Sequence, residues 1–322
     1  MNTFGRLFRV HIFGESHGDS VGIIISGCPP GIQIKEEDFS TDLIRRKSGA
    51  KGTTARREED KPEILSGIYN EFTTGSPISI RFKNSDIRSS DYHFKNHPRP
   101  GHADFTGDKK YKSFNDDRGG GHFSGRITVG LVAAGVIAKK MIQPVNIKAK
   151  LTEAGGNKDI SKMVEAALSF GDSVGGIIEC KADNIPVGLG EPFFDSVESL
   201  ISHGIFSIPG IKGIEFGSGF QAAKMKGSEH NDLIIDENGT TQTNNSGGIV
   251  GGITNGNQLF FRVSVKATSS ISIAQESYNF ESKKIQQLQI KGRHDACIAL
   301  RIPVIVEAVC AVVLADLLMI NK

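Results

Sequence analysis

Apolar positions in this chain come mostly in short runs broken by glycine-rich turns, and one long run closes it. Residues 21–32, VGIIISGCPPGI, have the apolar continuity of a buried strand that stops at a Pro-Pro-Gly turn. Residues 35–47 follow as a short helix, acidic early and basic late at Arg45, Arg46 and Lys47, as the helix dipole favours. Two strands are expected in PEILSGIYN (62–70) and PISIRFKN (77–84), and a long irregular stretch over 84–123. SGRITVGLVAAGVIAKKMI (124–142) starts on a serine, ends on two lysines and carries an Ala/Gly face, so it predicts a helix packed tightly on a neighbour. Further on the pattern predicts a strand at 145–152, a helix at 161–170, strands near 174–183 and 211–227, and a strand at 257–267 after GGIVGGITNG. The closing run, 302–320, contains Glu307 and Asp316 and is expected as a buried helix rather than a membrane span. Strands and helices do not alternate, and several strands look hairpin-connected. The expected class is therefore α+β, an antiparallel sheet with layered helices, rather than a doubly wound fold.

Composition changes this picture in three places. At 322 residues, with 38% hydrophobic and 23% charged, the chain has room for one large or two ordinary globular domains. No Pro- or Ser-rich linker divides it. A net charge of +2 carries no global nucleic-acid signature, so any anion site must come from local clustering. The four cysteines, Cys28, Cys180, Cys297 and Cys310, lack metal or disulfide spacing and fit small buried residues in a reducing cytosol. The first residues have no apolar core of the signal-peptide kind.

Four features could carry chemistry. Residues 45–61 hold Arg45, Arg46, Lys47, Lys51, Arg56, Arg57 and Lys61 around Gly49, Gly52, Thr53 and Thr54, a loop suited to phosphate or carboxylate. DDRGGGHFSGR (116–126) runs three glycines toward a helix start, where free N–H groups and the dipole attract anions. His17, His102, His122 and His294 each sit beside Gly, Arg or Asp, which favours proton transfer; no HxxxH spacing supports a metal. KATSSI (266–271) places a lysine and three hydroxyls at a strand end. Taken singly, the first is also a salt-bridged surface, the second a tight turn and the last a cap.

Taken together, these segments resemble the chorismate synthase family. The resemblance runs through almost the whole chain, in FGESHGDSVGIIISGCPPG, TTARREEDKPEILSG, NSDIRSSDY, RPGHADFTG, DDRGGGHFSGR with VAAGVIAKK, GLGEPFFD, GGIVGGITNG, KATSSI and GRHDACIALRIPVIVEA. It implies a single catalytic domain over 1–322, a β-α-β sandwich, a homotetramer and a cytoplasmic enzyme without nucleic-acid or membrane partners. It implies conversion of 5-enolpyruvylshikimate 3-phosphate to chorismate and phosphate by 1,4-anti elimination with reduced FMN, redox-neutral overall. By motif, it implies catalytic roles for His17 as proton donor to the leaving phosphate, His102 at the flavin, and Asp295 in removing the C6 proton. Substrate contacts fall on Arg46, Arg126 and Arg301. FMN contacts fall on His122, Phe123, Ser124, Pro209, Gly210, Gly251, Lys266, Ala267, Thr268, Ser269, Ser270 and Arg293.

The chain departs from the family pattern at Lys51, which stands near a usual substrate arginine in a loop one residue shorter; lysine lacks the bidentate fork. Ala296 replaces a usual proline, SGRIT replaces ARET, and the segment 144–162 and the C-terminus are short. No dinucleotide fingerprint is visible, so a separate reductase is expected to supply the reduced flavin.

Overall fold

The run at 21–32 forms a strand, β3 (Ser20–Ser26), that ends where Gly27 turns with φ +82°. In a computed structural model describing residues 2–86, 94–290 and 294–321, β3 is the middle of a five-stranded antiparallel sheet. Its order is β1 (Thr3–Phe4), β2 (Arg9–Gly14), β3, β7 (Ile78–Lys83) and β4 (Glu63–Ser66). A ribbon of β5 (Ile68–Tyr69) and β6 (Phe72–Thr73) stands beside it. The second sheet, also antiparallel, has β8 (Asn146–Ala154), β9 (Gly176–Asp183), β10 (Ile211–Phe216) and β13 (Leu259–Val265) in the order β10–β13–β9–β8. β13 shows period-two burial, with Leu259, Phe261, Val263 and Val265 inward.

The helices are α1 (Ser40–Arg46), α2 (Asp104–Lys110), α3 (Thr128–Met141), α4 (Ile160–Phe170), α5 (Val197–Ile205), α6 (Gly227–His230) and α7 (Pro303–Ile320). Between the sheets, α3 packs on β3 and β7, α7 packs on β8 and β9, and the two helices pack on each other. This is the β-α-β sandwich. The Ala/Gly face of α3 has a specific use. A Cβ on Gly135 would come within 2.3 Å of the Ala308 Cβ, so the helix axes approach as closely as backbone permits.

In length and composition α7 could cross a membrane, but every residue from Val304 to Leu317 is buried within the fold. An all-round apolar helix is what a core requires. Its two acids are both used. Glu307 is bound by Arg45 at 2.7 Å, Lys139 at 3.0 Å and the Ala149 N–H at 2.8 Å. Asp316 accepts the Arg6, Leu7 and Phe8 N–H groups at 2.8, 2.7 and 2.8 Å, fixing the N-terminal entry into the first sheet.

Some elements differ from the pattern. The strand expected over 211–227 ends at Phe216, because Gly217 turns at φ +54° against the Asn245 carbonyl; a 3₁₀ turn (Gly219–Lys224) and α6 follow. Two further ribbons, β11 (Ile249–Val250) with β12 (Ile253–Thr254) and β14 (Gln275–Asn279) with β15 (Lys284–Leu288), carry too little apolar alternation to announce themselves. The stretch 84–123 contains α2, and its residues 87–93 lie outside the described residues. All four cysteines are buried and free.

Candidate active site

The loop leaving β2 carries His17. Gly14 begins it at φ +96°, where a side chain would strike the Ser20 carbonyl and the Val21 Cα at 2.4 and 2.7 Å. Ser16 and His17 are then buried at 0% and 6% exposure. The Ser16 N–H donates to the Gly121 carbonyl at 3.0 Å. Arg56 donates to the Ser16 hydroxyl at 2.8 Å and the Ser16 carbonyl at 3.0 Å, and is itself held by Glu58 at 2.7 Å. Asn84 donates to the Glu15 and Gly18 carbonyls at 3.1 and 2.7 Å. The loop is thus clasped on both sides of the imidazole.

Burial lowers the His17 pKa below its ordinary value, and the nearby Arg56 and Arg118 cations push the same way. The unliganded ring is therefore neutral at physiological pH.

The triple glycine serves this histidine. Gly119, Gly120 and Gly121 all have positive φ, 61°, 83° and 52°. Gly119 and Gly120 turn left-handed and Gly121 takes an extended ψ of −127°, so they do not form the first turn of α3, which starts at Thr128 after a 3₁₀ turn capped by Ser124. The helix-start anion site expected there is replaced by a wall: Gly119 backs directly onto the His17 ring. His122 Nδ1 lies 2.8 Å from the Gly14 carbonyl and must donate to it, so Nε2 is the acceptor of the neutral ring. Phe123 lies against Gly107 of α2 and near Tyr111, with ring centroids 6.2 Å apart.

Beside the loop lie Arg126, at the start of α3, and Arg46, at the end of α1. Asp60 joins them: one carboxylate oxygen accepts from Arg46 at 2.7 Å and the other from Arg126. All three side chains are nearly fully buried. Burial alone would raise the Asp60 pKa, but the two guanidinium groups outweigh it and hold the carboxyl below its usual range. Two cations share one anion, and the buried Arg46 Nε has no hydrogen-bond partner. Such a surplus of buried donors suits an anionic ligand. Arg126 also donates to the Asn84 side-chain oxygen at 2.8 Å and the Lys83 carbonyl at 3.1 Å.

The chain of contacts continues through Arg301, whose Nε donates to the Arg46 carbonyl at 2.9 Å and whose fork lies 3.4 Å from Asp295. Asp295 accepts the Thr54 N–H at 3.0 Å. Thus His17, Arg126, Arg46, Arg301 and Asp295, spread over almost the whole sequence, form one connected set.

A second group surrounds His102. Its Nδ1 lies 3.1 Å from the Pro100 carbonyl and its Nε2 lies 2.8 Å from the Ser270 hydroxyl, so the neutral ring donates from Nδ1 and accepts at Nε2. Burial, Arg99 and Lys266 lower its pKa to about 4. Lys266 donates to the Gly101 carbonyl at 2.7 Å and to Ser269 at 2.5 Å, and its N–H bonds the Gly210 carbonyl at 2.9 Å, bringing Pro209–Gly210 alongside. The Thr268 carbonyl accepts from Ser173 at 2.6 Å, and Ala267 is exposed. Two buried polar atoms here lack partners, Thr268 Oγ1 and His294 Nε2. An unpartnered Thr268 hydroxyl, an ammonium and glycine backbone fit a polar, phosphate-bearing cofactor.

Two sequence-selected residues stand apart. The Lys51 ammonium pairs with exposed Glu165 of α4 at 2.5 Å, because the short loop turns it outward. Gly251 tips the β11–β12 ribbon at the opposite end of α5 from Pro209; the adjacent Gly252 accepts from Val197 at the α5 start. Arg293 lies outside the described residues. Conversely, Asp60 and Asn84 were not selected from sequence. In sequence Asp60 is one of three acids, with Glu58 and Glu59, that interrupt the basic run, and Asn84 opens the irregular stretch 84–123. A cavity of about 770 Å³ lies elsewhere, lined by Arg45, Lys139, Lys148, Lys150 and Glu307 among others; of the 45–61 run it takes in Arg45, but it holds no histidine and none of the residues assigned to substrate or flavin.

Known proteins were compared with this arrangement. Residues 8–319 match the family model described as Chorismate synthase. A chorismate synthase of Chitinophaga pinensis is 59% identical over 324 residues, covering 100% of this chain and 98% of the relative. One from Dehalococcoides mccartyi is 46% identical, covering 98% and 96%. A solved structure described as a crystal structure of chorismate synthase superposes with a TM-score of 0.76 at 26% identity, covering 99% of this chain and 93% of that one.

Proposed function

The chain belongs to the chorismate synthase family, and from that premise we propose that it eliminates phosphate from 5-enolpyruvylshikimate 3-phosphate to give chorismate, with reduced FMN bound beside the substrate. It is a carbon–oxygen lyase of the shikimate route to aromatic compounds. The observation that carries the reading is the connected set running from the loop that bears His17, through Asn84, Arg126, Asp60, Arg46 and Arg301, to Asp295.

The substrate brings one phosphate and two carboxylates. Arg46, Arg126 and Arg301 supply the guanidinium charge such a ligand needs, and Arg56 and Arg118 add field at His17. Burial first, and that field with it, keep the empty imidazole neutral. An arriving phosphate dianion offsets both cations and raises the His17 pKa toward neutrality. The ring can then take up a proton and pass it to the departing phosphate oxygen. Asp295, which accepts the Thr54 N–H and lies near Arg301, would receive the C6 proton in this reading. One proton and one phosphate leave the carbon skeleton, so the overall reaction needs no net electrons.

His102, Lys266, Thr268, Ser269, Ser270 and the Pro209–Gly210 turn would hold the flavin, with His122, Phe123 and Ser124 from the other side. Bound reduced flavin supplies transient electron density that helps the allylic phosphate leave. His102, whose neutral ring already accepts from Ser270, is suited to control protonation there. Gly251 and Arg293 remain assigned by resemblance alone. The reading extends to a cytoplasmic homotetramer that takes its reduced flavin from a separate reductase.

The test is anaerobic: purified protein, reduced FMN and substrate, with chorismate and phosphate measured in equal amounts. Both ligands binding without turnover would overturn the reading in favour of a binding protein.

A further inference from the structure

We propose that Asn84 is the positioning residue that locks the His17 loop to Arg126, so that the proton donor and the substrate arginine act as one rigid unit. The proposal rests on the lyase reading above.

Asn84 sits one residue past the end of β7. Its amide is used at both ends. The side-chain oxygen accepts from Arg126 Nε at 2.8 Å. The amide nitrogen donates to the carbonyls of Glu15 and Gly18 at 3.1 and 2.7 Å, one on each side of Ser16–His17. Its backbone N–H adds a bond to the Asp19 carbonyl at 3.1 Å. The opposite amide orientation would set oxygen against two carbonyls and NH₂ against a guanidinium N–H, so the network fixes it.

Arg56 and the Gly121 carbonyl also hold the loop, both through Ser16; the Asn84 clasp matters because it ties the carbonyls on both sides of Ser16–His17 to the substrate arginine. Gly14 and Gly18 flank it, and glycines leave the backbone free to move. Proton transfer needs hydrogen-bond reach between imidazole and leaving oxygen, and about 1 Å of misplacement costs on the order of 100-fold in rate. Arg126 is already fixed by Asp60 and Lys83, so Asn84 refers the loop to a rigid point.

Two substitutions separate the two ends of the clasp. Asn84→Ala removes both. Asn84→Asp keeps an acceptor for Arg126 but turns carboxylate oxygen toward the two loop carbonyls, which cannot donate to it. The expected result is a kcat loss of about 10- to 100-fold in both variants, with thermal stability near wild type. In Asn84→Asp the loss falls on kcat more than on KM; in Asn84→Ala KM rises as well. Substrate binding by calorimetry reports the arginine end independently of turnover. A wild-type kcat in either variant overturns the proposal, as does an Asn84→Asp loss confined to KM. If either variant fails to fold, the other decides by the same measures, and a loss of fold in both makes Asn84 structural and overturns the proposal. Wild-type protein that neither binds nor turns over the substrate removes the lyase reading itself, and this proposal with it.

Discussion

Gly119 lies so close behind His17 that a Cβ placed on it would come within 2.3 Å of the ring's Nε2 and Cδ2. The glycine also has φ +61°, where an L-residue costs about 1 kcal/mol or more. Gly119→Ala therefore pushes the imidazole out of place. We expect kcat to fall at least about 10-fold, and as much as about 100-fold, with a much smaller loss of thermal stability. A rate equal to wild type would show that the ring's position is not what the reaction depends on.

Asp60 makes a different prediction, on stability. Among the described residues it is the carboxylate that ion-pairs with both Arg46 and Arg126, and all three side chains are buried. Removing one member of such a set leaves charge uncompensated in low dielectric, which costs about 3–5 kcal/mol. Asp60→Asn should unfold at markedly lower urea concentration than wild type. Added phosphate should recover part of the loss by binding between the freed arginines. Equal midpoints for the two proteins would show that the cluster is solvated in solution.

Much of the sandwich was legible because it rests on apolar pattern. The runs at 21–32, 124–142 and 302–320 are long and continuous, and they became β3, α3 and α7. The strand end at Phe216 was not legible, because it depends on Gly217 meeting the Asn245 carbonyl, a contact 28 residues away in sequence. The site divides in the same way. His17 and the triple glycine stand out by residue type, and the structure joins them. Yet their relationship, ring against glycine wall, could not be read from spacing. Lys51 looked like a substitute for a missing arginine by position alone; its loop turns it to Glu165. Asp60 and Asn84 lie in segments that carry the resemblance, TTARREEDKPEILSG and NSDIRSSDY, but they act through partners that folding brings to them, so residue type alone did not single them out.

The contact between α3 and α7 gives a test of packing. A Cβ on Gly135 would lie 2.4 Å from the Ala308 Cα, and neither helix can yield without moving a sheet. Alanine raises helix propensity by about 1 kcal/mol over glycine, so Gly135→Ala would stabilise an open site. Here overpacking of about 1–3 kcal/mol opposes that gain. We expect Gly135→Ala to be destabilising and Gly135→Val more so. Ala308→Gly combined with Gly135→Ala should recover part of the loss in chemical denaturation. A stabilised Gly135→Ala protein would mean that the helices stand further apart.

His102 should make the protein acid-sensitive in a defined window. Its folded-state pKa is lowered to about 4, chiefly by burial and then by Arg99, against about 6.5 in an unfolded chain. Between those values the unfolded chain binds a proton that the folded protein refuses. Acidification therefore favours unfolding, and the stability present above pH 6.5 is lost as the pH falls toward 4. From pH 7 to pH 5 this single group should cost about 2 kcal/mol. Asp104 does not cancel the effect, because Arg99 holds its carboxyl below the usual range and it stays ionised through most of the window. His102→Asn removes the titrating ring while leaving an amide able to bond Ser270. Urea unfolding of both proteins at pH 7 and pH 5, at one protein concentration, isolates the term. Wild type should lose about 2 kcal/mol more than the variant over that step. Parallel losses would mean that the His102 ring is solvated, and would remove the physical basis for the neutral, proton-accepting role proposed for it.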